Sequence, residues 1–476
     1  MQENAQSPDK VKHILCLFDY GQNCHTGFAT VSRNIVKQLK EHFGDRLHLD
    51  ICAINNFDET TREYDDTVLV MSAKLNQKSK IDWSSGQERQ DDFGRTTFLE
   101  MLSEKNYDGI FIIIDLGVVA SIIPLMQLVI DKKHEKSRGQ IKKPKAVIYF
   151  PVDGPMHSTV YNPAVNPASI PLLGDTQKKY YKAAIKQFLE LEFFDQVVTY
   201  TNYGKKEVLS HNPALGDKIK VIYHGSDNTE FFPLPAAEIK KFRKQVFGKN
   251  ADKFIIGNVN RNQNRKDIPT TILGFQHAKR LWRQNPAGMP EPFLYLHMNP
   301  RDFLGWNLFD FLSLSQFDDL KEGRDYMFPV GGDQNYQVDR EILNYLYNSL
   351  DLSVTTAKGG GWELSLSEAM ACKVPVLAPM HTSLAEVCGN GTRGFMLDEF
   401  IPVSDPIDNT LRYMCHYEQV GEKIYEIMQL KQSNDFETFG HLIYNAYNWV
   451  TNDLPWEVIC KEWINIFEKT FFAKSR

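Results

Sequence analysis

Short apolar runs rich in β-branched and aromatic residues recur along this chain with helical stretches between them, and that alternation restricts the fold more than any other feature. It is the pattern of parallel strands joined by helices. In the first half the runs are HILCLFDYG from His13, HLDICAIN from His48, GIFIII from Gly109, AVIYFPVDG from Ala146 and QVVTYT from Gln196. In the second half they are KFIIGNVN from Lys253, PFLYLHMN from Pro292, DYMFPVGG from Asp325, LDLSVTTA from Leu350, VPVLAP from Val374 and GFMLD from Gly394. Two βα series of this kind predict an α/β protein with two Rossmann-like domains. The length of 476 residues agrees, because a single core rarely serves more than about 300 residues.

Between the series, HGSDNTEFFPLPAAEIKKF carries Gly225, Pro233 and Pro235 ahead of a helix expected near Ala237. The domain boundary is placed there, residues 1–230 forming the first domain and 231–448 the second. The chain closes on an amphipathic helix in which Trp456, Ile459, Trp463, Ile464 and Phe467 recur at helical spacing, read as a stripe of core. Asp58 to Thr97 and Pro155 to Thr176 read as irregular loops, either acceptor-binding elements or plain surface excursions.

Charge and cysteine content narrow the function classes. A net charge of −6 gives no global polybasic character for nucleic acid, and the densest basic run is confined to Lys132–Lys145, KKHEKSRGQIKKPK. That run leaves open a nucleic-acid or membrane-surface partner beside solvated loop charge. The seven cysteines contain no C-x-x-C pair, so neither a zinc site nor a disulfide framework is signalled. A cytoplasmic protein is expected, with peripheral membrane attachment left open and no metal site.

Three segments carry the chemistry. After the first strand, QNCHTGFATVSRNIVKQL places Gly21 and Gly27 on the strand-to-helix turn, where the backbone can approach an anion at a helix N-terminus or simply turn tightly. In GNVNRNQNRKDIPTTILGF, Arg261 and Lys266 lie five residues apart before a helix starting near Pro269, a suitable seat for a diphosphate, with Arg265 a competitor in the same turn. In TTAKGGGWELSLSEAMACKVPVLAP, glycines 359 to 361 would expose N–H groups to phosphate or sugar oxygens, and Glu368 on the following helix could accept bonds from ribose. Asp153, in YFPVDGPMH, ends a first-half strand where ligands collect in open α/β sheets, though it also suits a turn carboxylate, and His157 lies close by.

With these motifs the chain resembles the GT-B glycosyltransferases of family 4 over nearly its whole length. TYTNYGKKEVL and KIKVIYHGSDNTEFF match the end of the first domain, NVNRNQNRKD the family's Gly-Arg-x-x-x-x-Lys turn, and GGGWELSLSEAMACKVPV the signature Glu-Gly-Phe-Gly-Leu-x-x-x-Glu-Ala-Met-Ala. The resemblance implies a GT-B fold, with the domains facing across a cleft and residues 449–476 forming a helix that packs back on the first domain. It implies transfer of a sugar from a nucleoside-diphosphate sugar, by default a UDP-sugar, with retention and without a metal or other cofactor. Arg261 and Lys266 would hold the diphosphate, Glu368 the ribose, and the backbone around Gly361, Trp362, Glu363 and Leu364 the sugar and phosphates, with Gly27 approaching from the other domain. One departure stands out: the signature's first Glu falls on Gly360, while Glu363 stands where the family has Gly. Either Glu363 supplies the sugar-reading carboxylate from a shifted position, or the chain binds nucleotide sugar without transferring it.

Overall fold

The computed structural model describes residues 10–473 except 25, 57–59, 74–80, 83–86, 89–91, 155–190, 330–337 and 405–410. His157 and the Pro155–Thr176 loop therefore lie outside the described residues.

The first half forms an eight-stranded sheet from β1 (Lys12–Asp19), β2 (Leu47–Ile54), β3 (Thr61–Glu63), β4 (Val68–Ser72), β5 (Gly109–Ile113), β6 (Lys145–Phe150), β7 (Gln196–Thr199) and β8 (Ile219–Val221). Its order is β8-β7-β6-β5-β1-β2-β4-β3, parallel except for the antiparallel β3–β4 edge pair. The strands are apolar because both faces are covered. Leu15, Leu17, Ile110 and Ile112 pack under Phe98, Ile122 and Met126, while Cys16, Phe18 and Phe111 face the opposite core. Strands β3 and β4 correct the sequence reading of Asp58–Thr97 as irregular, for the part of it that is described: Val68 and Val70 are buried against the sheet, and a helix begins at Arg95. Five residues of strand are too few to give a periodic signal inside a polar stretch.

The second half repeats the plan with six parallel strands, β9 (Phe254–Val259), β10 (Pro292–His297), β11 (Tyr326–Met327), β12 (Leu352–Val354), β13 (Val376–Pro379) and β14 (Phe395–Leu397). They run in the order β11-β10-β9-β12-β13-β14. In each sheet the order reverses beside the first strand, at β1/β5 and at β9/β12, and ligands of open α/β sheets settle in the crevice at the carboxyl ends of such strands.

The two halves are tied by two chain segments running side by side. Ser226 N–H donates to the Leu454 carbonyl at 2.7 Å, and a Cβ on Gly225 would lie 2.3 Å from the Trp456 ring, so only glycine fits there. The helix Trp456–Phe467 then packs on the first sheet. Trp463 is fully buried, 5.2 Å from Phe111 and 4.9 Å from Tyr149 between ring centres, and Phe467 is 5.3 Å from Phe111. Burying such rings stabilises by about 2–3 kcal/mol each, which holds the last helix against the far domain.

Candidate functional site

The carboxyl ends of the two sheets meet, and each wall of the cleft takes its character from the turns that follow the strands. On the second-domain wall, β9 runs into a short turn of 3-10 helix, Asn264–Lys266, ahead of the helix Ile268–Gln284. Pro269 occupies the helix's first turn, where a missing N–H costs nothing. This turn carries Arg261, Arg265 and Lys266, but each cation already has an acidic partner. Arg261 makes a forked pair with Asp302, at 2.6 and 3.3 Å, and its guanidinium lies over the exposed ring of Phe303. Arg265 reaches across the cleft to Asp153, 3.3 Å away. Lys266 is buried against Glu363 and donates to both its oxygens. Burial pulls the Lys266 ammonium down to about 8, with Glu363 opposing that pull. Burial likewise pulls on Arg265, but the charges of Asp153, Glu363 and Asp115 outweigh it and raise its pKa.

Glu363 adopts φ +81° and caps the helix Leu364–Ala371. Its Oε2 would stand 3.3 Å from a Cβ added at Gly360. The Glu363 carboxylate thus borders the space that a side chain at position 360 would take, and its charge is directed to Lys266. Glu368, further along that helix, accepts from the Tyr347 hydroxyl at 2.8 Å and from Arg340 at 3.1 Å. Its pKa is raised by burial, against the pull of Arg340 and Tyr347. Arg340 also pairs with Glu230 at 2.8 Å. Sequence reading singled out neither Arg340 nor Tyr347, since only the fold brings them to Glu368. It also passed over Lys358, a buried ammonium 2.7 Å from Asn264 Oδ1, although AKGGG spells it directly before the glycines.

The glycine loop also packs closely across the cleft. A Cβ on Gly359 would lie 2.1 Å from the Asp153 carbonyl oxygen, and one on Gly361 would lie 2.5 Å from Pro151. Neither glycine needs a positive φ, so their smallness lets the loop abut the end of β6 across the cleft. The N–H of Gly360 faces the Thr382 hydroxyl at 3.4 Å. Trp362 has its ring buried at the crossing segments, 5.2 Å from Tyr223 and 6.0 Å from Trp449. Only its backbone can serve the donor side.

On the first-domain wall, Gly27 is the first residue of the helix Gly27–Phe43 rather than part of the turn before it, and Thr26 caps that helix. A Cβ on Gly27 would sit 3.4 Å from Leu364, so the two domains touch there. Three carboxylates follow the strand ends: Asp19 closes β1, Asp115 follows β5 and Asp153 follows β6. Asp19 accepts from Thr26 and from Asn55 at 3.1 Å. Asp115 opens to solvent at the β1/β5 crevice; its pKa rises to about 6, first through poor hydration in the concave wall and then through Asp153. Among the described residues no group of three or more His, Cys, Asp or Glu side chains is arranged to hold a metal, and no helix is long and apolar enough to cross a membrane. In the basic run, Lys143 pairs with Asp131 and Lys145 with Asp195, both at 2.6 Å, and Lys133 donates to the Leu102 and Lys105 carbonyls.

Comparison with known proteins agrees with this architecture. A sucrose-phosphate synthase from Thermosynechococcus elongatus superposes with a TM-score of 0.63 at 16% identity, covering 97% of this chain and 100% of that one. A glycosyltransferase from Rickettsia africae gives 0.60 at 14% identity, covering 97% and 98%. Anabaena HepE, solved in complex with UDP and glucose, gives 0.58 at 13% identity, covering 96% and 100%. In sequence, a protein of Thermosipho melanesiensis described as a probable sucrose-phosphate synthase is 22% identical over 289 residues, which is 59% of this chain and 55% of that protein. This chain thus spans about half the length of that relative. No protein-family profile matches the chain. At these identities the likeness defines the fold: two Rossmann-like domains facing across a cleft, the GT-B architecture.

Proposed function

We propose that this chain is a glycosyltransferase that moves a sugar from a nucleoside-diphosphate sugar, most simply a UDP-sugar, to an acceptor held on the first-domain wall. The observation that carries the reading is the turn after β9, in which Lys266 reaches Glu363 at the amino end of Leu364–Ala371 and Arg265 reaches Gly359 of the glycine loop, with Arg261 a few residues earlier, at the β9/β12 crevice of a GT-B fold. HepE, which shares that fold, was solved with UDP and glucose. In this reading Arg261 and Lys266 exchange their carboxylate partners for diphosphate oxygens, in charge-assisted bonds. Glu368, oriented by Tyr347 and Arg340, accepts from the ribose hydroxyls. Gly360, Gly361, Glu363 and Leu364 line the sugar, with Gly27 and Asp153 opposite.

The bond from the anomeric carbon to the phosphate oxygen breaks and one to the acceptor oxygen forms on the same face. The departing phosphate oxygen takes the acceptor's proton, so this route needs no enzymic base, and Arg261 and Lys266 take the place of a metal at the leaving diphosphate. The walls supply fixed charge for the leaving diphosphate and exclude water. A panel of nucleotide sugars tested by thermal shift, then by acceptor-dependent release of nucleoside diphosphate in the presence of a chelator, checks this. Stabilisation by UDP-sugars with chelator-resistant release is expected; release only after Mn2+ or Mg2+ is restored contradicts the metal-free scheme.

A second reading has its own observation. With Gly360 in place of a carboxylate and Glu363 engaged by Lys266, the chain would bind nucleotide sugar without transferring it. UDP-sugar binding without any turnover across acceptors would favour that reading.

A further inference from the structure

The first-domain helix Asn202–His211 follows the carboxyl end of β7, and its own chain caps it only in part. The first N–H groups of a helix have no partner within it. Thr201 takes the N–H of Gly204 at 3.2 Å, and the second domain takes the two before it. Glu386, on the helix Thr382–Val387, accepts from the Asn202 and Tyr203 N–H groups, each at 3.0 Å and each on a different carboxylate oxygen. The same carboxylate accepts from the Asn202 side-chain amide at 2.7 Å and from the Tyr223 hydroxyl at 2.6 Å. One turn earlier, the Ser383 hydroxyl lies 2.8 Å from that of Thr201. A helix is ordinarily capped from its own chain a few residues away. This carboxylate comes from 184 residues on, in the other domain.

The contact stands beside the crossing segments. Tyr223 packs on Trp362 and Trp449, at 5.2 and 6.3 Å between ring centres. Arg393 lies 3.9 Å from the centre of the Trp449 ring and donates to the carbonyls of Glu386 and Val387, at 2.7 and 3.1 Å. Opening of a cleft between two domains is absorbed at the segments that join them, and contacts next to those segments move least. Four donors converge there on one carboxylate at the positive end of a helix dipole, whereas the glycine loop merely abuts Pro151 and Asp153, and Arg265 makes a single ion pair with Asp153.

We propose that Glu386 is the pivot on which the two domains turn: its carboxylate stays seated on the amino end of Asn202–His211 while the cleft opens, and it sets the angle at which the two walls meet. Nothing in this depends on the transferase reading, and a protein that binds no donor would still turn on Glu386. Small-angle X-ray scattering of the intact, ligand-free protein, together with hydrogen exchange of the Asn202 and Tyr203 amides, tests this. Glu386→Ala is expected to enlarge the radius of gyration with unchanged far-ultraviolet dichroism, and to speed exchange of both amides by about tenfold, the worth of one hydrogen bond. Glu386→Gln, which keeps an acceptor oxygen and loses the charge, should fall between Glu386→Ala and the wild type in both readings. Faster exchange in Glu386→Ala with an unchanged radius shows a helix cap alone and overturns the pivot. Amides that exchange as fast in the wild type as in Glu386→Ala overturn the contact itself. Should Glu386→Ala unfold, Glu386→Gln decides, and a wild-type radius with wild-type exchange in that variant overturns the proposal.

Discussion

The two walls of the cleft are built alike but present different charges: carboxylates follow the strands of the first, and cations paired with carboxylates follow those of the second. Each is the carboxyl edge of a parallel sheet at a reversal of strand order, yet the first presents Asp19, Asp115 and Asp153 and the second Arg261, Arg265, Lys266 and Lys358. The closed arrangement couples them through Arg265 and Asp153, and through glycines 359 and 361 laid against Pro151 and Asp153. The fold supplies two equivalent crevices, and the side chains in the turns set the charge that each presents.

The sharpest way to break this contrast is to remove the buried cation of the second wall. Lys266→Ala leaves Glu363 buried and unpaired, so it should cost about 3–5 kcal/mol of stability in denaturant unfolding. Removing both charges, as in Lys266→Met with Glu363→Gln, should restore most of that loss. A sequence reading in which Lys266 is only a ligand-facing cation predicts no such cost, and full stability of Lys266→Ala would return the argument to it.

Glu368→Ala comes next in size. Tyr347 and Arg340 lose their common acceptor and the ribose its carboxylate, so UDP affinity should fall by about 1–3 kcal/mol. Glu363→Gln should act in the opposite direction on the same ligand. Freed of a competing carboxylate, Lys266 should bind UDP a few-fold more tightly, while transfer of the sugar falls. Weaker UDP binding in Glu363→Gln would show that this carboxylate does not compete with the diphosphate.

On the first wall the expected effect is smaller and depends on pH. The folded pKa of Asp115, about 6, lies above the ordinary carboxylate value of 3.8, so between those values the folded chain holds the extra proton. By linkage, that group's contribution falls as pH rises from about 4 to about 6. Because Asp115 is exposed to the cleft, solvent screening should keep the effect below about 1 kcal/mol. Asp115→Asn should flatten the stability-against-pH curve across that window, and a curve identical to the wild type would assign the ionisation elsewhere.

Much of the fold was legible because parallel strands buried on both faces leave uninterrupted apolar runs such as ILCLF and IFIII. The strand Val68–Ser72, next to the sheet edge, was not, being short and set among charged residues. Within the site, Arg261, Lys266 and Glu368 stood out because motif spacing is local. The pairings they make did not: Asp302 lies 41 residues from Arg261, and Glu363, itself singled out, lies 97 from Lys266. Arg265, weighed only as a competitor, proves to be the cation that crosses to Asp153, 3.3 Å away. Trp362 keeps its place in the signature's loop while its ring packs with Tyr223 and Trp449 at the crossing segments, contacts that local spacing does not announce.

The central claim is that the second wall is an anion seat whose cations exchange carboxylates for a diphosphate. Calorimetric titration of the intact protein with UDP and with uridine, in parallel at low and at high salt, tests it most directly. The account predicts that UDP binds at least about a hundredfold more tightly than uridine, the worth of one or two charge-assisted hydrogen bonds, and that salt erodes only the UDP affinity. Equal affinities for the two ligands, or UDP binding that salt leaves unchanged, would contradict it.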